Sequence, residues 1–166
     1  MLIYHPAYDA YHCIFRALMA TDKIKKLELQ KLRILDFFLC FPAELQKIRL
    51  PENLKDVRKT AQGFANEYHG PVSMMQSFRD LEHIQLTAYR TLAASGIFDP
   101  QEFEAGVIFR TEKELPEKIS QAVANARMIT PNAAELVLDR VASIPLTGVD
   151  GLKHRSGLLD YRYDVI

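Results

Sequence analysis

Apolar side chains recur every three to four residues along much of the chain, which is the spacing of an amphipathic helix. The pattern predicts one helix over residues 7–20 and a second over residues 27–41, whose broad apolar surface suits a central position. The clearest helical pattern fills residues 73–96, and two further helices are predicted after Pro116 and after Pro131. Most of the chain is therefore predicted to be helical.

Several residues mark where these helices should begin and end. Ser73 opens a stretch with the spacing of a capping box, and Gly96 is well placed to end the same helix. Pro42 should interrupt the second helix, because its ring clashes with the preceding turn and it has no N–H to donate. A short helix is predicted over residues 43–48, and a long, partly helical connection follows it.

Two regions have the alternating pattern of β-strands. Residues 97–98 are predicted to start a small β-wing, residues 99–100 to open its turn, and residues 107–109 to form the return strand. Near the end of the chain, apolar and charged residues alternate over 159–165, which predicts a half-buried strand.

Together these elements predict a mainly α fold of the α+β class, with residues 1–166 forming a single domain. A long helix, a glycine stop and a small wing match a winged helix-turn-helix. We expect a winged-helix-like core over about residues 5–112 and a C-terminal extension of helix and strand over about residues 113–166.

The composition is that of an ordinary folded domain of 166 residues, 48% hydrophobic and 25% charged. Twenty-one basic residues balance 21 acidic ones, so no global field attracts the chain to nucleic acid or acidic membranes. The balance hides an asymmetry: residues 1–60 carry 11 basic and 7 acidic side chains, and residues 61–166 carry 10 and 14. Such a bipolar molecule favours oriented docking.

The apolar segments exclude some classes of protein. No run approaches the roughly 18 apolar residues of a membrane span, and the first residues do not resemble a signal peptide, so the cytoplasm is the expected location. Cys13 and Cys40 lie in apolar helical stretches, where cysteine behaves as a small buried hydrophobic residue. We interpret neither as redox-active.

Residues with the spacing of a chemical site are scarce. His5, Asp9 and His12 could share a helix face and bind a metal, but Pro6 places His5 outside the helix and Asp9 suits its first turn. No glycine loop has a phosphate-binding context, and no serine lies in a nucleophile elbow. We therefore expect no catalytic residue, cofactor or metal.

A basic cluster near the second helix has two interpretations. One is a nucleic-acid contact, for which the candidates are Lys25, Lys26, Lys31 and Arg33. The other, which we favour, is a solvated helix face balanced by Glu28, Asp36 and Asp56.

Five segments resemble, in order and spacing, a known protein family. They are YHPAYDAYHCIFRAL, LRILDFFLCFPAEL, IRLP, GVIFRTEKELP and IPLTGVDGLKHRSGLLDYRYD. The family is the middle component of ABC three-component systems, the small subunit of Lamassu-type bacterial defence. The resemblance spans nearly the whole chain, and its most specific part is the tail.

The resemblance implies a non-catalytic adaptor, similar to the winged-helix accessory subunits of SMC complexes. Its partners would be an SMC- or Rad50-like coiled-coil ATPase and an effector, commonly a nuclease, held in check until foreign DNA is sensed. DNA is a further candidate partner within the complex. The alternative function is a winged-helix DNA-binding regulator that uses the basic first 60 residues.

Arginine and tyrosine are enriched at the hot spots of protein interfaces, and the tail carries both. We expect a partner interface at Arg110, Lys153, Arg155, Tyr161, Arg162 and Tyr163. Gly157 permits backbone geometry that other residues resist. The alternative is a structural tail, in which Tyr161 and Tyr163 pack on the core and Arg162 pairs with Asp160 or Asp164.

Overall fold

The computed structural model describes residues 5–65 and 70–162, and helices dominate both stretches. In chain order the helices and strands are α1 (Ala10–Lys23), β1 (Lys26–Glu28), α2 (Leu29–Cys40), α3 (Lys55–Gln62), α4 (Met74–Ala94), α5 (Pro100–Glu104), β2 (Val107–Phe109), α6 (Glu117–Ile129), α7 (Pro131–Ala134) and α8 (Leu152–Ser156). Short 3-10 helices occupy Pro6–Tyr8, Pro42–Lys47, Glu52–Leu54 and Val141–Ser143, and Glu135–Arg140 is π-helical. The mainly α prediction is confirmed.

The predicted helix ends follow from local chemistry. The Ser73 hydroxyl accepts a hydrogen bond from the backbone N–H of Gln76 (3.3 Å) and so caps α4. Gly96 follows α4 with a positive φ of 75°. Pro42 stands just beyond α2 and opens a 3-10 turn, which occupies the position of the predicted short helix.

The core forms where α1, α2 and α4 meet. Its largest fully buried side chains include Phe37, Phe38, Phe78 and Tyr89. The same hydrophobic cluster extends to Leu158, so it also covers one side of the C-terminal region. The central position predicted for the second helix is confirmed by the burial of α2 on most of its surface.

A buried polar network joins these three helices. The Asp36 carboxylate accepts hydrogen bonds from Arg16 Nε (2.6 Å) and Gln85 Nε2 (2.9 Å), and its side chain is only 1% exposed. Gln85 in turn accepts from Arg33 Nε (3.0 Å) and donates to the Arg33 carbonyl (3.1 Å). Buried polar groups are stable only when they are paired, so the network fixes α1, α2 and α4 relative to one another.

The small sheet differs from the predicted wing. The return strand Val107–Phe109 is confirmed, but its antiparallel partner is β1, with Leu27 opposite Ile108. Phe98 makes only a single bridge, to Arg110. The prediction that Asp99 opens a turn between two wing strands is wrong, because its carboxylate caps α5 by accepting from Gln101 N (2.9 Å).

The predicted tail strand is absent from the part of the tail that the structure describes, which ends at Arg162. Gly157, with φ of 68°, ends α8 in a left-handed conformation. The backbone N–H of Arg162 then donates to Asp160 Oδ1 (3.0 Å), which is a local turn and not an extended strand. The rest of the predicted strand, residues 163–165, lies outside the described residues.

Within residues 5–65 and 70–162, none of the helices has the length and apolar character needed to cross a bilayer.

Candidate functional site

Backbone hydrogen bonds to the preceding loop fix the position of α8. The backbone N–H groups of Leu152 and Lys153 donate to the carbonyls of Pro145 (2.7 Å) and Leu146 (3.1 Å). These donors belong to the first turn of the helix, where they have no partner within the helix. Gly151 makes the close approach possible, because a Cβ there would lie 2.3 Å from the Thr147 carbonyl oxygen.

Arg155 joins α8 to two other segments of the chain. Its Nε donates to the Asp150 carbonyl (2.6 Å), and its Nη1 donates to the Arg49 carbonyl (2.8 Å). Arg49 returns a backbone hydrogen bond to the Arg155 carbonyl (3.3 Å) and places its Nη2 2.7 Å from His154 Nε2. The Arg155 side chain is 14% exposed, and it is engaged inside this protein.

Beyond α8 the chain lies alongside the first half of α4. Leu158 is buried, and the Tyr161 ring packs on the His154 imidazole with their centroids 4.5 Å apart. Between α4 and this segment is a groove of about 480 Å³, which we call the α4–tail groove. It is lined by Arg33, Met75, Phe78, Arg79, Glu82 and residues 157–162.

The groove contains three arginines, of which one is buried and paired and two are exposed and unpaired among the described residues. Arg33 is buried, stacks on Phe78 with its guanidinium 4.6 Å from the ring centroid, and pairs with Glu82 (2.9 Å). Its Nη2 has no hydrogen-bond partner among the described residues. Arg79 and Arg162 are exposed, and the structure as described gives neither guanidinium a hydrogen bond or an ion pair.

The structure brings some of the predicted interface residues together and separates others. Tyr161 and Arg162 line the α4–tail groove, while Arg155 and the buried Lys153 lie on the adjoining helix α8. Tyr163 lies outside the described residues. Arg110 is elsewhere, in a cleft of about 570 Å³ between the end of α1 and α6.

Arg110 in that second cleft is paired internally. Its Nη1 donates to Thr21 Oγ1 (3.1 Å) and lies 3.3 Å from Asp22 Oδ1. The other Asp22 oxygen accepts from Arg127 Nη2 (3.1 Å). One carboxylate therefore bridges two guanidiniums and joins α1 to α6.

The four candidate nucleic-acid residues do not form one exposed basic face. Lys25 pairs with Glu112 (2.6 Å), and Lys26 pairs with Glu102 (3.0 Å). Partial burial lowers the pKa of the Lys31 ammonium, although nearby Glu28 opposes the shift. Arg33 is buried in the interior and engaged as described above. Three of the four positive charges, those of Lys25, Lys26 and Arg33, are therefore paired with carboxylates of the same protein.

The residues considered for a metal site have local roles. Asp9 Oδ1 accepts from the backbone N–H of Tyr11 (2.7 Å) and caps α1, and His5 Nδ1 accepts from the N–H of Ala7 (3.1 Å). Among the side chains that the structure describes, no three His, Cys, Asp or Glu residues form a group that could hold a metal ion.

Sequence reasoning missed Arg79 and misplaced Arg33, which it assigned to an exposed helix face although the residue is buried. Arg79 looks like any solvated charge on an amphipathic helix, and only the neighbouring tail makes it part of a groove. Arg33 carried a usable signal, because it stands with Asp36 in the otherwise apolar run LRILDFF, three residues apart. Two charges in such a run indicate a buried, paired network.

The comparison with known families covers almost the whole chain. Residues 2–164 match the family model described as ABC-three component (ABC-3C) system Middle Component 5. The protein is therefore an accessory subunit that works with the other components of a multi-subunit ABC three-component system. It belongs to the Middle Component 5 family, which confirms the resemblance to middle components of ABC three-component systems. Searches of curated proteins and of solved structures gave no match.

Proposed function

We propose that this chain is a non-catalytic adaptor that bridges an SMC- or Rad50-like coiled-coil ATPase and an effector, which we expect to be a nuclease. The system would be of the Lamassu type, acting in the cytoplasm against phage or plasmid DNA. The observation that carries the proposal is the family match over residues 2–164.

The chemistry of the described surface supports an adaptor. The α4–tail groove places Tyr161 beside two arginines, Arg79 and Arg162, that make no ion pair among the described residues. Tyrosine and arginine are the side chains that contribute most to binding when buried against another protein. The groove therefore has the composition of a protein contact.

The test is co-expression of the tagged chain with the ATPase and effector components encoded with it. We expect one complex that contains all three components on size-exclusion chromatography. A chain that elutes alone, with the ATPase and effector in separate fractions, would contradict the adaptor role. Ala substitution of the exposed His12 and His83 should leave cellular defence intact if the chain performs no catalysis.

The same preparation tests the DNA-binding alternative. A regulator predicts that the isolated chain shifts duplex DNA at low salt, with affinity falling steeply as salt rises. Because Lys25 and Lys26 are paired with carboxylates and Arg33 is buried, we expect no shift. A salt-sensitive shift by the chain alone would favour the regulator instead.

A further inference from the structure

We propose that the α4–tail groove binds a carboxylate-bearing segment of another protein component of the same system, with an apolar residue next to the carboxylate. The inference rests on the proposed adaptor function and specifies the contact surface. It follows from the charges and the aromatic lining of this groove.

The charges of the groove favour an acidic occupant. Its lining holds three arginines and two carboxylates, which gives one net positive charge. Glu82 is taken by Arg33, and Asp160 accepts the backbone N–H of Arg162. The guanidiniums of Arg79 and Arg162 remain without an acceptor among the described residues. A planar guanidinium fork matches a carboxylate in a bidentate arrangement.

The apolar lining favours a side chain beside the carboxylate. Met75 is half-buried, and Tyr161 is held against His154 while 37% of its surface is exposed. A tyrosine that is already oriented loses little conformational entropy when a partner covers it. An aliphatic or aromatic residue of the partner can therefore pack on Tyr161 while the carboxylate meets the arginines.

Arg33 lines the groove but offers no free donor to an occupant. Its side chain is more than nine-tenths buried, its Nη1 pairs with Glu82, and its Nη2 is covered from solvent. The exposed arginines Arg79 and Arg162 are therefore the ones that a carboxylate of the partner can contact.

A protein segment fits the groove better than nucleic acid does. DNA presents a regular array of phosphates and needs a matching array of cations. Among the described lining residues only Arg79 and Arg162 are exposed and unpaired arginines, so the groove does not provide such an array. Two guanidiniums beside a tyrosine suit one or two carboxylates on a peptide.

The experiment uses the full chain and peptides tiled along the ATPase and effector components. Binding is measured by fluorescence polarisation. We expect one or a few tiles that contain Asp or Glu beside an apolar residue to bind. Affinity should fall about tenfold or more, roughly what loss of a charged hydrogen bond costs, when the tile's Asp and Glu become Asn and Gln. The double variant R79E/R162E should show a similar loss, and R79K/R162K a smaller one.

The matched control is R90E/K118E, which makes the same change of charge at two exposed positions outside the groove. It should bind the tiles and assemble like the wild type. Melting temperatures of all variants separate loss of contact from loss of folding. If R79E/R162E unfolds, R79Q/R162Q replaces it.

The outcomes distinguish this inference from the proposed function. If the wild-type chain joins the complex and R79E/R162E joins it equally well, the groove assignment is overturned and the adaptor role stands. If no component associates with the wild-type chain, both are overturned. Duplex DNA that binds the wild type and not R79E/R162E would also overturn the inference, in favour of a nucleic-acid site.

Discussion

Arg49 and Arg155 are joined through each other's backbone: the Arg155 guanidinium donates to the Arg49 carbonyl, and the Arg49 N–H donates to the Arg155 carbonyl. Arg155 also donates to the Asp150 carbonyl at 2.6 Å. One side chain thus connects the loop before α8, the helix itself and the segment that follows the Pro42–Lys47 turn. The α4–tail groove depends on this arrangement, because α8 leads directly into its lining.

The first prediction separates the two tail arginines. Arg155→Ala should lower the free energy of unfolding by about 1.5–3 kcal/mol, since it removes hydrogen bonds made by a charged and largely covered group. Arg162→Ala should leave stability unchanged, because its exposed guanidinium makes no hydrogen bond or ion pair within the described residues. Urea unfolding followed by circular dichroism measures both.

For assembly with the other components we expect the opposite ranking, with a larger effect of Arg162→Ala than of Arg155→Ala. Arg162→Ala should weaken co-purification without lowering the melting temperature, because the groove keeps its shape and loses a charge. Equal effects of the two variants on stability would contradict the division between a structural and a binding arginine.

The second prediction concerns two glycines on either side of α8. Gly151→Ala should lower the free energy of unfolding by about 3 kcal/mol, because its Cβ would meet the Thr147 carbonyl. This value is the upper end of the usual cost of forcing a methyl group into packed structure. Gly157→Ala has no atom within 4 Å of its Cβ but must adopt φ of 68°, so about 1–2 kcal/mol is expected. Gly157→Asn should cost less than Gly157→Ala, because asparagine tolerates the left-handed region. Similar costs for the two Ala variants would refute the steric argument.

The helices were predictable because the information that defines them is local. The period of apolar residues, the Ser73 cap and the Pro42 break lie within or beside the segments that they shape. The sheet was not predictable in the same way. Its strands have three residues each, too few for a period, and Leu27 pairs with Ile108 far along the chain. Leu27 and Glu28, two of the three residues of β1, were absorbed into the predicted second helix for that reason.

The candidate site was predictable only in its tail. Tyr161 and Arg162 stood out by composition, but their neighbour Arg79 belongs to a helix whose charged positions all look solvated. Arg155 was equally prominent in the sequence, and no sequence signal shows that the Arg49 carbonyl is its acceptor. Which arginine is engaged internally is decided by tertiary contacts between distant segments.

The third prediction tests the buried network. Asp36→Asn keeps the shape of the side chain but leaves the Arg16 guanidinium without its carboxylate. Removing one member of a buried ion pair should lower the free energy of unfolding by about 3 kcal/mol or more. Asp139→Asn is the control, because its pair with Lys23 is well exposed and should contribute about 1 kcal/mol or less. Chemical denaturation measures both, and equal losses would show that the network does not stabilise the core.

The fourth prediction concerns the two thiols, which are both free. Burial raises the pKa of Cys13, and the nearby Asp36 carboxylate raises it further; burial likewise raises the pKa of Cys40. Because the thiolate is the reactive form, the native protein at pH 8 should react with Ellman's reagent about tenfold or more slowly than the urea-unfolded chain.

Cys40, which borders surface cavities, should react before Cys13. Cys40→Ala should therefore remove the faster native phase, while Cys13→Ala should keep it. Reaction of either thiol in the folded protein as fast as in the unfolded chain, with the melting temperature unchanged, would contradict the interpretation of the buried Cys13 and the partly buried Cys40 as unreactive side chains.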